Sequence, residues 1–194
     1  MTPTGIAPEI VGVEAAYRGW CTLYLATLRL ADGRTITREI EDHGNAACVL
    51  PYDPDRRVAL VIRQFRTPAL YAGSVAMLIE APAGLIDPGE DGTTAARREA
   101  MEEVGLRLTA LEPVMNAWTM PGISSERMAL FLGAYTQADQ VAQGGGIASE
   151  HEDIEVIEMP LAKLAAMAES GGLCDLKAFA LVQTLRIRRP ELFG

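Results

Sequence analysis

The sequence predicts an α+β fold in which a mixed sheet is packed between helices as an α/β/α sandwich, with a small β-hairpin unit ahead of it. Three observations carry this expectation. Strand-like text fills the first half of the chain before any long helical pattern begins. The order strand, strand, helix, strand, strand, helix then suits a sheet covered by helices on its faces. One helix, over residues 93–104, is marked at both ends, by Thr93 or Thr94 as an N-cap after Gly92 and by Gly105 as a C-terminal stop.

The first pair of strands is expected at residues 20–30 and 34–41, split by the turn tripeptide Ala31, Asp32 and Gly33. A second pair, 46–51 and 58–64, is separated by Asp53-Pro54-Asp55, where proline presets its own φ for a turn. After the marked helix come strands at 112–118 and 129–135, a glycine run from Gly144 to Gly146, and a strand at 154–159. Two helices, 161–170 and 176–187, close the chain. The division expected is residues 1–42 as a hairpin segment and 43–194 as the main domain.

The chain has 194 residues and is 49% apolar, enough for one substantial core. Its net charge of −9 argues against nucleic acid as a partner, since such proteins present a basic face. An anionic ligand would need cations, from metal or from a few placed arginines. Cys21, Cys48 and Cys174 are scattered, without a Cys-x-x-Cys pair, and read as reduced packing residues. The N-terminus lacks a basic region followed by an apolar run, and no apolar stretch approaches the roughly 20 residues of a membrane helix. A cytoplasmic protein with no membrane partner is the expectation.

The chemistry is concentrated in GLIDPGEDGTTAARREAMEEVGL, residues 84–106. On the expected helix Glu99, Glu102 and Glu103 stand at i, i+3 and i+4, so their Cβ atoms are about 5–6 Å apart on one face. Three like charges on one stripe destabilise a bare helix, and hard oxygen donors of this kind suit Mg²⁺, with Mn²⁺ as an alternative. Taken alone, the triplet would read as a solvated acidic face. It does not stand alone, because Gly84, Glu90, Arg98, Glu99, Glu102, Glu103 and Gly105 fit the pattern G-x5-E-x7-R-E-U-x-E-E-x-G-U, with U apolar. A chance match is expected on the order of once in a million sequences.

That pattern resembles the Nudix box, and the chain is identified as a member of the Nudix hydrolases, whose fold is the sandwich expected above. The resemblance implies a Mg²⁺-dependent cleavage of a diphosphate bond, with Glu99 and Glu103 as metal ligands and Glu102 as a further ligand or close neighbour. Glu90 and Arg98 are implied to brace the loop against the helix, and the carbonyl of Ala83 to complete a metal shell. Beyond the box, GNAACVLPYDP, VIRQFR, TMPGISSER and GGGIASEHEDIEV resemble the ADP-ribose pyrophosphatases and the related GDP-mannose hydrolases, with Met120 where the former carry serine.

Carried onto this chain, that narrower resemblance implies Glu150 as catalytic base, Glu152 as a third metal ligand, and Glu126 as an alternative base or substrate contact. Trp20 matches an aromatic that stacks on the nucleobase, for which its apolar face is suited, although it also suits a hairpin core. Arg38 and Glu39 match residues that reach the nucleotide across a dimer interface, and Arg66 matches an arginine facing the diphosphate; surface ion pairs are the alternative for all three. Arginine's planar fork pairs with two phosphate oxygens. A homodimer with an exchanged N-terminal sheet is implied as well. His43 reads as structural or exposed, and His151 is left out of the mechanism. ADP-ribose and GDP-mannose are the two substrates in view; a nucleotide-binding sensor and a house-cleaning triphosphate hydrolase are the competing readings.

Overall fold

The computed structural model describes residues 7–73, 76–146 and 153–194. By internal contacts the chain divides into two compact units, Met1–Asn45 with Trp118–Arg127, and Ala46–Ala117 with Met128–Gly194.

The first unit holds β1 (Glu9–Arg18), β2 (Thr22–Arg29) and β3 (Thr35–Asp42), an antiparallel sheet in the order β1-β2-β3. The expected hairpin is therefore the β2–β3 half of a three-stranded sheet. The strand β1 escaped the sequence reading because every residue in it is exposed, so its apolar and polar residues do not alternate across a buried face. Ser124 bridges to Glu41 beside β3, and the Ser125 amide donates to the Glu41 carbonyl at 2.9 Å, which ties the 118–127 segment to this sheet.

The second unit is a seven-stranded mixed sheet built on β4 (Ala46–Asp53), β5 (Val58–Phe65), β8 (Glu112–Trp118), β9 (Arg127–Ala134) and β10 (Glu155–Pro160), in the order β10-β5-β4-β9-β8. The short strands β6 (Met77–Glu80) and β7 (Ala83–Leu85) pair with β5 and β4. Neither was expected, and neither was the five-residue helix α1 (Thr67–Tyr71). Strands and helices this short carry too few residues for a periodic signal. The strands β4 and β9 run parallel, while β10 with β5, β4 with β5, β4 with β7 and β5 with β6 are antiparallel.

Every residue of β4 is buried, the pattern of a strand covered on both faces. Cys48, Leu50 and Tyr52 pack into a cluster with Leu161 and Leu164 of α3 (Leu161–Ser170) and Leu181 and Leu185 of α4 (Leu176–Arg188). Ala47 and Val49 join the opposite cluster with Ala95, Ala96, Ala100 and Val104 of α2 (Gly92–Val104). The α/β/α sandwich is thus the observed architecture. Cys48 is a packing cysteine as expected, whereas Cys174 is exposed and does not serve that role. Among the described residues no helix is long and apolar enough to cross a membrane.

The helix α2 begins one residue earlier than expected, and its N-cap is neither threonine. Asp91 accepts from the Thr94 amide at 2.7 Å, a bond that holds the Asp91 carboxyl below its ordinary range. Its C-terminus is Gly105 with φ 69°, as the sequence indicated. A Cβ there would also overlap the carbonyl of Ala142. Gly105→Ala is accordingly expected to cost more than about 1 kcal/mol in urea unfolding; a smaller cost would show that the helix end can relax.

Candidate active site

Helix α2 sorts its residues by size as well as by charge. Ala95, Ala96 and Ala100 are fully buried, so the helix lies close to the sheet, and the carboxylates of Glu99 and Glu103 enter the protein with it at 8% and 2% exposure. Glu103 accepts from the Ala83 amide at 3.0 Å, fixing the acidic face to the start of β7. Gly84 is required at the next position, since a Cβ there would overlap the Glu99 carboxylate.

Arg98 organises the rest of the face. It donates to Glu90 at 3.3 and 3.1 Å, to Glu99 at 2.6 Å, to Glu102 at 3.1 Å and to the Leu85 carbonyl at 2.8 Å. The Glu90 hydrogen bond, opposed by burial and reinforced by Glu99 and Glu102, pushes the guanidinium further above its ordinary value. Glu90 in turn accepts from the Asp87 amide at 3.2 Å, so one arginine links loop, strand β7 and helix. The residues expected to brace the loop and those expected to bind metal are therefore brought together.

The glycine run has a definite task. The amides of Gly145 and Gly146 donate to the carbonyls of Glu103 and Glu102 at 2.9 and 3.1 Å, and all three glycines have positive φ. The run caps the carboxyl end of α2, and a Cβ on Gly144 would overlap the Glu103 carbonyl. Glu150 and Glu152 lie outside the described residues.

Arg66 is held by Glu80, through Nε at 2.7 Å and a second nitrogen at 2.9 Å. Glu80, only 2% exposed, also takes the ammonium of Lys177, which pairs with Asp175 at 2.9 Å. Burial pushes the Glu80 carboxyl up, but the Arg66 and Lys177 contacts outweigh it and hold the group below its ordinary value. These four side chains line a cavity of about 320 Å³. Glu80 and Lys177 were missed in the sequence because 97 residues separate them and neither belongs to a local pattern.

In the first unit Arg38 and Glu39 share a cavity of about 370 Å³ with Pro121, Ser124 and Ser125, which joins β3 to the TMPGISSER segment. Trp20 is 78% exposed, so the alternative of a hairpin-core tryptophan does not hold. Its ring lies instead on His43, which is part-buried and partnered rather than free. Glu126 is 8% exposed and accepts from the Thr119 hydroxyl at 2.5 Å.

Among the described residues no group of three His, Cys, Asp or Glu side chains stands ready to hold a metal. Two of the three expected side-chain ligands, Glu99 and Glu103, are described, and the third is Glu152. The donor set fits a hard divalent cation: oxygen ligands only, with Glu103 against the Ala83 amide and Glu99 against Gly84, where a side chain would intrude.

The sequence model of the NUDIX domain matches residues 42–176. The chain belongs to the Nudix family. Nudix hydrolases are in general dependent on divalent metal, which accords with the acidic face of α2. A GDP-mannose pyrophosphatase of Cronobacter sakazakii is 39% identical over 160 residues, covering 81% of this chain and 82% of that relative. An ADP-ribose pyrophosphatase of Escherichia coli is 34% identical over 191 residues, covering 95% of this chain and 90% of the relative. The solved structure of an ADP compounds hydrolase superposes with a TM-score of 0.77 at 22% identity, over 97% of each chain, and bears on the fold alone.

Because the atom that a Gly84 side chain would strike is the end of a flexible glutamate, Gly84→Ala is expected to fold yet displace the Glu99 carboxylate. A loss of turnover of about 10²-fold, with a melting temperature within a few degrees of the parent, is the expected pair of results. Full activity would mean that Glu99 has no fixed place in the reaction.

Proposed function

We propose that the chain hydrolyses the diphosphate bond of a nucleoside diphosphate sugar, with ADP-ribose converted to AMP and ribose 5-phosphate. The observation that carries this reading is the buried acidic face of α2, where Glu99 and Glu103 meet the main chain at Ala83 and Gly84. Mg²⁺, or Mn²⁺ with its similar preference for oxygen, would be held by Glu99, Glu103, the Ala83 carbonyl and Glu152. When bound, such an ion screens the diphosphate charge and lowers the pKa of an attacking water. Arg98 keeps Glu90, Glu99 and Glu102 in register, Arg66 faces the diphosphate, and Glu150 accepts the proton of the water, with Glu126 the alternative base or substrate contact. Trp20 stacks on the nucleobase. The fit over 95% of the chain to an ADP-ribose pyrophosphatase supports ADP-ribose as the first substrate.

GDP-mannose, yielding GMP and mannose 1-phosphate, is the second reading. It is favoured by the 39% identity to a GDP-mannose pyrophosphatase and by Met120 in place of the serine of the ADP-ribose enzymes. The net charge of −9 supports a small-molecule substrate over nucleic acid, and the setting we propose is cytoplasmic. A homodimer with an exchanged N-terminal sheet accounts for the apolar residues that β1 displays: Ile10, Val13 and Tyr17 are 56%, 54% and 59% exposed. In that dimer Arg38 and Glu39 reach the partner's nucleotide.

Incubation with each sugar nucleotide and Mg²⁺, followed by chromatography, is expected to release AMP from ADP-ribose, and chelation by EDTA to stop it. GMP as the faster product would select the second reading, and no monophosphate from either would overturn both. Glu103→Gln is expected to lower kcat by about 10²-fold or more; a nucleotide sensor would keep its ligand affinity and have no turnover to lose. Sedimentation at micromolar concentration should show a dimer, and a monomer there would refute the exchanged sheet.

A further inference from the structure

An exposed tryptophan ordinarily samples several rotamers, but the ring of Trp20 has a fixed neighbour. It stacks on the imidazole of His43 with centroids 4.9 Å apart and planes inclined by 26°. With 78% of the residue exposed, the other face of the indole is open to a ligand.

The imidazole is itself immobilised. Its Nδ1 lies 2.5 Å from Glu41 Oε1, and its Nε2 lies 3.6 Å from Glu126 Oε1. Both carboxylates are fixed from behind. Burial raises the Glu41 carboxyl, yet hydrogen bonds from His43 and Ser124 outweigh it and hold the group below its ordinary value, so it stays anionic at neutral pH. Its amide donates to the Ile123 carbonyl at 2.9 Å. Glu126 is pinned by the Thr119 hydroxyl, while its own amide donates to Ser124 Oγ at 3.1 Å. A ring hydrogen-bonded through Nδ1, with Nε2 facing a second carboxylate, is restrained against flipping, and the indole on its face inherits that order.

We propose that His43 is a positioning residue for Trp20: braced between Glu41 and Glu126, it holds the indole so that its outer face is presented to the nucleobase. The inference rests on the reading of Trp20 as the nucleobase platform. It assigns Glu126 to the brace rather than to proton transfer. The nucleobase is remote from the bond that breaks, so a platform ordered in advance strengthens binding of ground state and transition state alike and acts on KM rather than kcat.

Trp118→Phe leaves Trp20 as the sole tryptophan of the chain and serves as the parent for fluorescence. Two substitutions separate the ring from its polar contacts: His43→Asn can still bond to Glu41 but offers no ring face, and His43→Phe keeps the face without the bonds. His43→Asn is expected to lower the Trp20 anisotropy, increase its quenching by acrylamide and raise KM by about tenfold, with kcat within about twofold. His43→Phe, which keeps a ring face but loses the brace, should also lower the anisotropy and raise KM, by less than His43→Asn does. Should His43→Asn leave anisotropy or KM unchanged, or lower kcat alone, the proposal is overturned, as it is if His43→Phe keeps both at the parent's values. Trp20→Ala separates the two levels: a raised KM there, with an unaffected His43→Asn, rejects the positioning role alone. An unchanged KM for Trp20→Ala rejects the platform reading and the inference with it.

Discussion

Carboxylates buried beside a backbone set the terms for the rest of the catalytic unit. Burying an ionised group is costly unless hydrogen bonds and opposite charge meet it. Helix α2 sinks Glu99 and Glu103 to 8% and 2% exposure, and the surrounding choices follow from that fact. Alanines at 95, 96 and 100 let the helix approach the sheet closely enough to carry the acids inward. The Ala83 amide meets Glu103, Gly84 leaves room for Glu99, and Arg98 spreads one positive charge over Glu90, Glu99 and Glu102. One arginine against several carboxylates leaves the face acidic, which is the electrostatic condition for a divalent cation to bind there.

Glu80 meets the same constraint by another route. It is as buried as Glu103, but Arg66 and Lys177 both reach it, so its charge is balanced by protein alone. That pairing fixes the Arg66 guanidinium, which is 40% exposed, with its fork against Glu80 and the remainder turned to the cavity it lines. The two buried acids thus differ in what meets them: arginine and lysine side chains at Glu80, and a backbone amide at Glu103. Removing one partner from a pair of this kind costs several times more than removing a surface ion pair, because a charge is left behind in the interior.

How much of this could be read from the residues alone depended on how far apart the cooperating groups lie along the chain. The face of Glu99, Glu102 and Glu103 was legible because a helix turns contacts in space into spacings of three and four. The cap at Gly105 was legible for the same reason, and the N-cap was misplaced by two or three residues because Asp91, Thr93 and Thr94 all satisfy the local rule. The sandwich followed from element order. By contrast, the Glu80 cluster joins residues 14 and 97 positions apart, and no local periodicity encodes such a meeting. The exposed strand β1 was missed because the pattern that reveals a strand is burial on one side, and β1 has none within the chain. The glycine run was seen but not understood: its amides serve carbonyls more than 40 residues earlier.

The same distinction explains why the family of this chain was plainer than its substrate. The chemistry of a diphosphate needs a compact acidic face, which one helix supplies from a single stretch of sequence. Selecting a base needs an aromatic plane at a set angle, and the groups that fix that plane come from separate places: Trp20 before β2, Glu41 on β3, His43 after it, and Thr119 and Glu126 from a segment some 80 residues on. His43 had no partner at a recognisable spacing, so its sequence context gave it no role. In the structure it stacks on the indole, hydrogen-bonds Glu41 and faces Glu126. In the proposed platform, discrimination between nucleotides rests on tertiary contacts, and a change at any of these positions would alter it while leaving the box on α2 intact.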